Sequence, residues 1–551
     1  MAEQTPGEQN LQALLRQSLH QQRPQSPVPA ATPLRPSTSP AALPQTVSED
    51  AVPASTSEVA ELRDAVSDDI VEADEQEPLA DETARRERAR SLVAERVAAW
   101  AVKRARSETP LTQVQVEALT QAVFDAIFHA GPLQKYLDDP DVENIAVLGD
   151  DVQVDYFNQA TVTVAPVAHS SEELIALINR LASMSGHRER RLSPSTPMVS
   201  FRLPDGARAE ATILTPVPFL GVRRHGRSHA TLDLLQQWGT LSASMATFLS
   251  ALVEARMNIL IAGDMGTGKT TLLGALGKEI GAEERIVTME TDRELFLDEH
   301  KGGAQFLAME ARESNGEIVN GTAVGQITLE DMFPHALRML ATRVIVGEVR
   351  GKEAIAMLEA MSAGGSGSMC TLHAAYPKLV LPRLVTLCRG LHREEVHELV
   401  GTGINFIVYI KQINQTRIGG RRHRFVSHIL EVSRGEHGRP AVQEIFAPVD
   451  GEVRGVPHRV PGRIKELEEL ADFDRRWLTL PQYGGWDRPL DLVQRGVPHE
   501  LGSVESARRG LRRPARRWAA APRAWLAARC APAERDAADE QVGRAGSAGA
   551  R

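Results

Sequence analysis

The sequence predicts an α/β protein: a domain built around one glycine-rich loop, preceded by a small mixed α+β domain and flanked by disordered ends. Three observations predict it. A short strand-like run at 258–262 leads into a loop of glycines and then an Ala/Leu-rich helix. Two later runs, 286–289 and 344–346, are short, largely β-branched and delivered to a glutamate, as buried parallel strands read. Ahead of them, residues 131–229 alternate turn signals with short Val/Ile runs around one helical segment.

In chain order, residues 1–57 are rich in Pro, Ser, Thr, Gln and Ala, a composition that buries too little apolar surface to offset chain entropy; disorder is expected. Residues 58–129 turn charged and Ala/Leu-rich, and "VEALTQAVFDAIF" repeats apolar residues at three- and four-residue spacing, so amphipathic helices are expected. Packing within their own domain is the plainer reading of their apolar faces, and a neighbouring molecule is the other. Residues 130–230 form the small α+β domain, with "PMVSFRLPDGARAEATILTPV" a hairpin turning at Asp205-Gly206. Residues 236–448 form the α/β domain, closed by an antiparallel patch from "NFIVYIKQI", "RFVSHILEVSR" and "AVQEIFAP". Residues 449–551 are expected to be a C-terminal extension with a largely disordered tail carrying "ARRGLRRPARRW". That cluster suits nucleic acid or anionic lipid, or is simply a solvated tail.

At 551 residues, 42% hydrophobic and 25% charged, the chain has material for several cores. A net charge of -9 provides no global basic field, so direct nucleic-acid binding is not expected. No run approaches the roughly 18 apolar residues of a membrane span. The start lacks a signal-peptide layout, and Cys370, Cys388 and Cys530 show neither metal spacing nor a disulfide framework. A reduced, cytoplasmic compartment is expected, with any membrane association coming through partners.

The strongest motif is "GDMGTGKTT". Gly263-x4-Gly268-Lys269-Thr270 satisfies the Walker A pattern, in a strand–loop–helix context. Its glycines let consecutive N–H groups face phosphate oxygens, and the following helix adds its positive end. Gly263, Gly266, Thr267, Gly268, Lys269, Thr270 and Thr271 are therefore candidate nucleotide-binding residues, with ATP and Mg²⁺ the expected ligands. Lys269 suits the β/γ-phosphates, and the Thr270 hydroxyl suits the metal.

"RVIVGEVRG" delivers Glu348 at a strand end where many nucleotide-hydrolysing enzymes carry an aspartate. "RIVTMETDREL" delivers Glu290 likewise, with Glu294 four residues on. Nucleotides sit outside the carboxyl ends of parallel strands. Carboxylates there hold hydrated Mg²⁺ or activate water, and helix capping or arginine pairing is the alternative. Glu348, Glu294, Glu290 and His373 are the catalytic candidates, and Glu348 with Thr270 the metal candidates. Arg350 is placed to steady Glu348 or to support a neighbouring subunit. For His373, in "SAGGSGSMCTLHAAYP", a role near the γ-phosphate and a structural role both stand.

Taken in order, "GDMGTGKTT", "METDREL", "RVIVGEVRG" and "GSGSMCTLHA" resemble the Walker A, Asp, Walker B and His boxes of the secretion-ATPase superfamily of type II and type IV secretion and type IV pili. The CpaF/TadA-like branch, which powers tight-adherence pili, is the nearest resemblance, over residues 133–432. It implies a RecA-like P-loop ATPase domain behind the small domain, and Glu348 as the Walker B carboxylate with Glu294 a rival general base. It also implies a homo-hexameric ring docked at the cytoplasmic face of an integral membrane platform protein. "FRLPDGARAEATI" and "LGVRR" resemble the family's arginine motifs, so Arg208 and Arg223 would reach the nucleotide across the interdomain cleft, with Arg202 and Arg224 as second choices.

Three positions depart from the family pattern: Gly365 stands where an earlier histidine is usual, Thr291 replaces an aspartate with Asp292 shifted by one, and "HAAY" replaces a "HANS"-like ending. A conjugation or DNA-uptake motor is the alternative function. Further off stand a nucleic-acid translocase of the same fold and a non-hydrolysing scaffold.

Overall fold

The computed structural model describes residues 56–77, 81–184, 191–224, 229–300, 303–312, 318–319, 322–323 and 325–493. Of the Pro/Ser-rich disorder expected at 1–57, residues 1–55 lie outside the described residues, and Thr56 already opens a helix; the arginine-rich tail, from residue 494, also lies outside them.

Helices Thr56–Gln76, Glu82–Arg104 and Gln113–Phe128 pack on one another. Their apolar faces meet in a core of their own, built from Val66, Val93, Val97, Leu119, Val123 and Phe124. Asp81 caps the second helix, and Thr112 with Gln115 forms a capping box on the third, satisfying backbone N–H groups that a helix start leaves unpaired.

The small domain is one antiparallel sheet. Its strands are β1 (Val142–Leu148), β2 (Asp151–Tyr156), β3 (Val162–Val164), β4 (Met198–Arg202), β5 (Arg208–Thr212) and β6 (Phe219–Arg223), in the order β3-β2-β1-β6-β5-β4. Helix Ser171–Met184 packs Leu174, Ile178 and Leu181 against one face of that sheet, chiefly Ile145, Val147, Val152, Val154, Ala209 and Leu220. The β4–β5 hairpin turns at Asp205-Gly206, where Gly206 takes a φ of 85° that side chains disfavour.

The large domain is a nine-stranded sheet. Its strands are β7 (Ile259–Gly263), β8 (Arg285–Glu290), β9 (Gln305–Glu310), β12 (Arg343–Val349), β13 (Met369–His373), β14 (Phe406–Asn414), β15 (Arg422–Arg434), β16 (Pro440–Val449) and β17 (Glu452–Pro457). The short pair β10 (Ile318–Val319) and β11 (Thr322–Ala323) stands apart. The order is β17-β16-β15-β14-β7-β13-β12-β8-β9, parallel from β14 to β9 and antiparallel from β14 to β17. All five residues of β7 are buried: Ile259 and Ile261 face one core, Leu260 and Ala262 the other. Helices cover both faces, which is why these strands read as continuous apolar runs.

The expected boundary at residue 448 needs correction. Strand β17 pairs with β16, and helix Ile464–Ala471 buries Leu467 in the same core as Phe248. Phe473 packs its ring 5.5 Å from that of Phe248. The α/β domain therefore runs at least to residue 493, because its antiparallel patch and first core are completed by residues expected to lie outside it.

Candidate nucleotide site

The site lies at the carboxyl ends of the parallel strands. A Cβ on Gly263 would stand 2.6 Å from the Ile410 carbonyl oxygen of β14 and 2.7 Å from Thr267 Oγ1, so only glycine passes there. Gly266 and Gly268 hold φ values of 71° and 94°, which curl the loop into helix Lys269–Lys278. No side chain caps that helix, leaving its N-terminal N–H groups for a ligand. The Asp264 carbonyl accepts from Thr267 Oγ1 at 2.9 Å and from Lys269 Nζ at 3.0 Å. Thr270 and Thr271, half-buried, occupy the helix's first turn.

Lys269 is 6% exposed, rare for a lysine. Burial pulls its ammonium down to about 8; the Glu348 carboxylate opposes this and Arg223 reinforces it. A buried cation held by one carbonyl and one imidazole fits a triphosphate, which would supply the missing negative charge.

Glu348 is not beside the loop strand: β13 intervenes and brings His373 between them. His373 Nδ1 lies 3.1 Å from Lys269 Nζ, and its Nε2 lies 2.8 Å from Glu348 Oε1, an ion-pair contact. Arg350 donates to Glu348 Oε2 at 2.6 Å. Burial by itself would raise the Glu348 carboxyl, but His373 and Arg350 outweigh it and hold the group at about 2. Lysine, histidine, glutamate and arginine thus stand in one row of contacts.

Glu290, 3% exposed at the end of β8, accepts from the Glu294 and Leu295 N–H groups at 3.0 and 3.1 Å through one oxygen. Burial pushes it up to about 7 against those two bonds, and the charge of Glu294 adds to the rise. A Cβ on Gly347 would come 2.9 Å from Glu290 Cγ. The Gly-Glu ending of β12 is therefore steric: Glu290 crosses from the neighbouring strand into the space that a side chain at 347 would need. Glu294 is half-buried beside these groups, and its charge also bears on Arg350.

The small domain meets this site through a row of arginines. Arg202, Arg208 and Arg223 are direct cross-strand partners on β4, β5 and β6. Arg208 donates to Asp292 at 2.5 Å and Arg202 pairs with Glu310, so acidic residues of the large domain offset like charges in register. Arg223, exposed, makes no ion pair among the described residues. Arg224 points elsewhere, donating to the Asp139 and Val142 carbonyls of its own domain. Gly365 also has a local reason: a Cβ there would stand 2.6 Å from the Ala360 carbonyl oxygen, so a histidine does not fit without backbone movement.

Sequence reading missed Glu143 and Arg424. Arg424 donates to the Gly266 carbonyl at 2.9 Å and, with both terminal nitrogens, to Glu143 at 2.8 Å each. The bonded residues are far apart in sequence, and "RRHRF" alone reads only as a basic strand start. Among the described residues no three His, Cys, Asp or Glu side chains form a metal cluster. A metal here would lean on phosphate oxygens, as Mg²⁺ at nucleotide sites does, with Thr270 and Glu348 the protein groups in reach of that role.

Comparison with known proteins agrees. Residues 130–405 match the family model described as type II/IV secretion system protein. The type IV secretion system protein PtlH of Bordetella pertussis is 32% identical over 269 residues, covering 43% of this chain and 76% of PtlH. The putative conjugal transfer protein Rv3659c of Mycobacterium tuberculosis is 32% identical over 258 residues, covering 45% of this chain and 69% of that protein. An uncharacterized protein of Methanocaldococcus jannaschii, MJ0781, is 32% identical over 263 residues, and the match spans only 35% of its length. The chain belongs to the type II/IV secretion system protein family.

Proposed function

We propose that this chain is an ATPase, the motor of a CpaF/TadA-like tight-adherence pilus or related secretion system, working as a hexameric ring at the cytoplasmic face of a membrane platform protein. The observation that carries the nucleotide reading is Lys269: buried, depressed in pKa and set at an uncapped helix start inside the glycine loop. No described helix is long and apolar enough to cross a membrane, so membrane contact is assigned to partners.

The reaction is attack of water on the γ-phosphorus of ATP, breaking its bond to the β,γ-bridging oxygen and releasing ADP and phosphate. Positioning and charge do most of this work. The N–H groups of residues 266–271 and Lys269 hold the phosphates. Mg²⁺, held by Thr270 and Glu348, would neutralise phosphate charge. Glu348 is ionised at any working pH and is favoured as the carboxylate that orients the attacking water. Glu294 stands as its rival. Glu290, near neutrality and locked to two N–H groups, better serves as a reserve proton acceptor. His373 links the phosphate-binding lysine to Glu348. Arg208 and Arg223 bring the small domain's charge to the cleft, which couples nucleotide state to domain rotation.

Lys269→Ala should weaken ATP binding on the order of 100-fold, the scale of removing a buried charged donor from its anion. Unchanged affinity by titration calorimetry would defeat the nucleotide assignment. Sizing with ATP and Mg²⁺ at micromolar protein should give a ring; monomer alone would defeat the hexamer. A conjugation-type motor is the second reading, favoured by the likeness to Rv3659c, and genes for relaxase rather than pilins beside this one would decide for it.

A further inference from the structure

We propose that Arg424 is a positioning residue through which the small domain sets the shape of the phosphate loop; this rests on the nucleotide reading above. Arg424 sits on β15, its side chain only 11% exposed. Its Nε donates to the Gly266 carbonyl at 2.9 Å, while Nη1 and Nη2 grip both oxygens of Glu143 at 2.8 Å. One planar guanidinium thus holds the loop on one side and the small domain on the other. Its rigid fork suits that task and a lysine's single ammonium does not.

Three further features lock the arrangement. Glu143 stands at a register shift in β1, between Val142 and Asn144, an irregularity of the kind that re-aims a side chain out of its regular alternation. Arg422 also reaches Glu143 at 3.4 Å, and its backbone N–H donates to the Asn158 carbonyl at 3.1 Å. The guanidinium lies 5.4 Å over the Phe157 ring, which is set edge-on to Trp238 at the entry to the large domain. Among the described residues no other side chain hydrogen-bonds both the loop and the small domain.

The chemical consequence follows from peptide planarity. In a trans peptide the carbonyl of Gly266 and the N–H of Thr267 point in opposite directions. Fixing that carbonyl on Arg424 fixes the direction of a loop N–H available to a phosphate. Moving the small domain moves Glu143, hence Arg424, hence the loop. By linkage, nucleotide binding pushes back on the small domain to the same extent.

The test measures KM, kcat and affinity for a fluorescent ATP analogue on the full chain. Arg424→Lys should raise KM and Kd roughly tenfold, with the larger effect on KM than on kcat. Glu143→Gln should weaken binding by a smaller factor in the same direction. The Arg424→Lys/Glu143→Gln double should be no weaker than Arg424→Lys alone, since both act through one linkage. The exchange Glu143→Arg with Arg424→Glu rebuilds the ion pair but removes the donor to Gly266, so melting temperature should recover while affinity does not. Multiplying single effects, or full recovery of affinity in the exchange, would overturn the inference. Should Arg424→Lys fail to fold, Glu143→Gln and the exchange still decide. Wild type that ignores ATP would instead overturn the nucleotide reading, whereas Lys269-dependent binding untouched at Arg424 would overturn only this one.

Discussion

Strand β12 carries an arginine at one end and a glutamate at the other, and the two ends are handled in opposite ways. At its start, Arg343 is saturated: Nε donates to Glu284 at 2.8 Å, Nη1 to the Val253 carbonyl at 2.7 Å, and Nη2 to the second Glu284 oxygen. Thr342 and Arg256 complete the glutamate's shell. Burial would raise Glu284, but its arginine partners outweigh this and hold it below the usual carboxylate range. At its finish, Glu348 shares His373 with a lysine held at about 8, and a carboxyl pushed up to about 7 lies alongside. One end has settled its charges internally. At the other, Glu348 is paired, but burial leaves Lys269 and Glu290 beside it under-compensated, the condition in which an incoming phosphate, metal or proton is welcome.

The largest effect that would break this contrast is at Glu348. Glu348→Gln should lower kcat by roughly 10²–10⁴-fold with ATP still bound; phosphate release equal to wild type would show that β12's two ends do not differ in role. Glu284→Gln should do the reverse. It leaves Arg343 buried without its counter-charge and should cost about 3–5 kcal/mol of stability, read by denaturant unfolding.

Glu290→Gln sharpens the contrast through pH. The Glu290 carboxyl titrates at 4.5 when unfolded and about 7 when folded, so the folded state binds more protons between those values. The stabilisation from protonated Glu290 is full below pH 4.5 and is lost as pH climbs through 7, a span on the order of 3 kcal/mol. Glu290→Gln should flatten that slope in a series of melting curves, and an identical slope would place Glu290 elsewhere. Smaller is Gly347→Ala, expected to displace Glu290 at a cost of about 1–3 kcal/mol and to slow hydrolysis without weakening ATP binding. Smallest is the lysine's own titration: ATP affinity should fall gently above pH 8, as Lys269 loses its proton, and rise again on acidification.

The loop was legible because its chemistry is local: Gly263, Gly268, Lys269 and Thr270 lie within eight consecutive positions. Glu348 and Glu290 were legible as charges closing apolar runs. What the sequence concealed was adjacency. Nothing local shows that β13 inserts between the loop strand and β12, so the contact of His373 with both Lys269 and Glu348 emerges only from the sheet order. Glu143 and Arg424 were hidden for the same reason, as bonds between residues hundreds apart. Residues 449–493 read as an extension beyond the α/β domain, yet Ile464, Leu467, Phe473 and Leu478 carry an apolar spacing that packs into its core.

The tight passage of Gly263 against the Ile410 carbonyl has a consequence for biosynthesis. Strand β7 finds its two partners at residues 369–373 and 406–410, long after it leaves the ribosome. Until residue 373 has been made the apolar strand is unpaired on both edges, and until residue 410 has been made one edge stays open and the nascent loop has no floor beneath it. Such late, non-local closure is slow and leaves sticky surface open meanwhile. Nucleotide can therefore act as a folding ligand only after residue 410 has been made, and production of the full chain should depend on chaperones more than production of residues 56–224 alone.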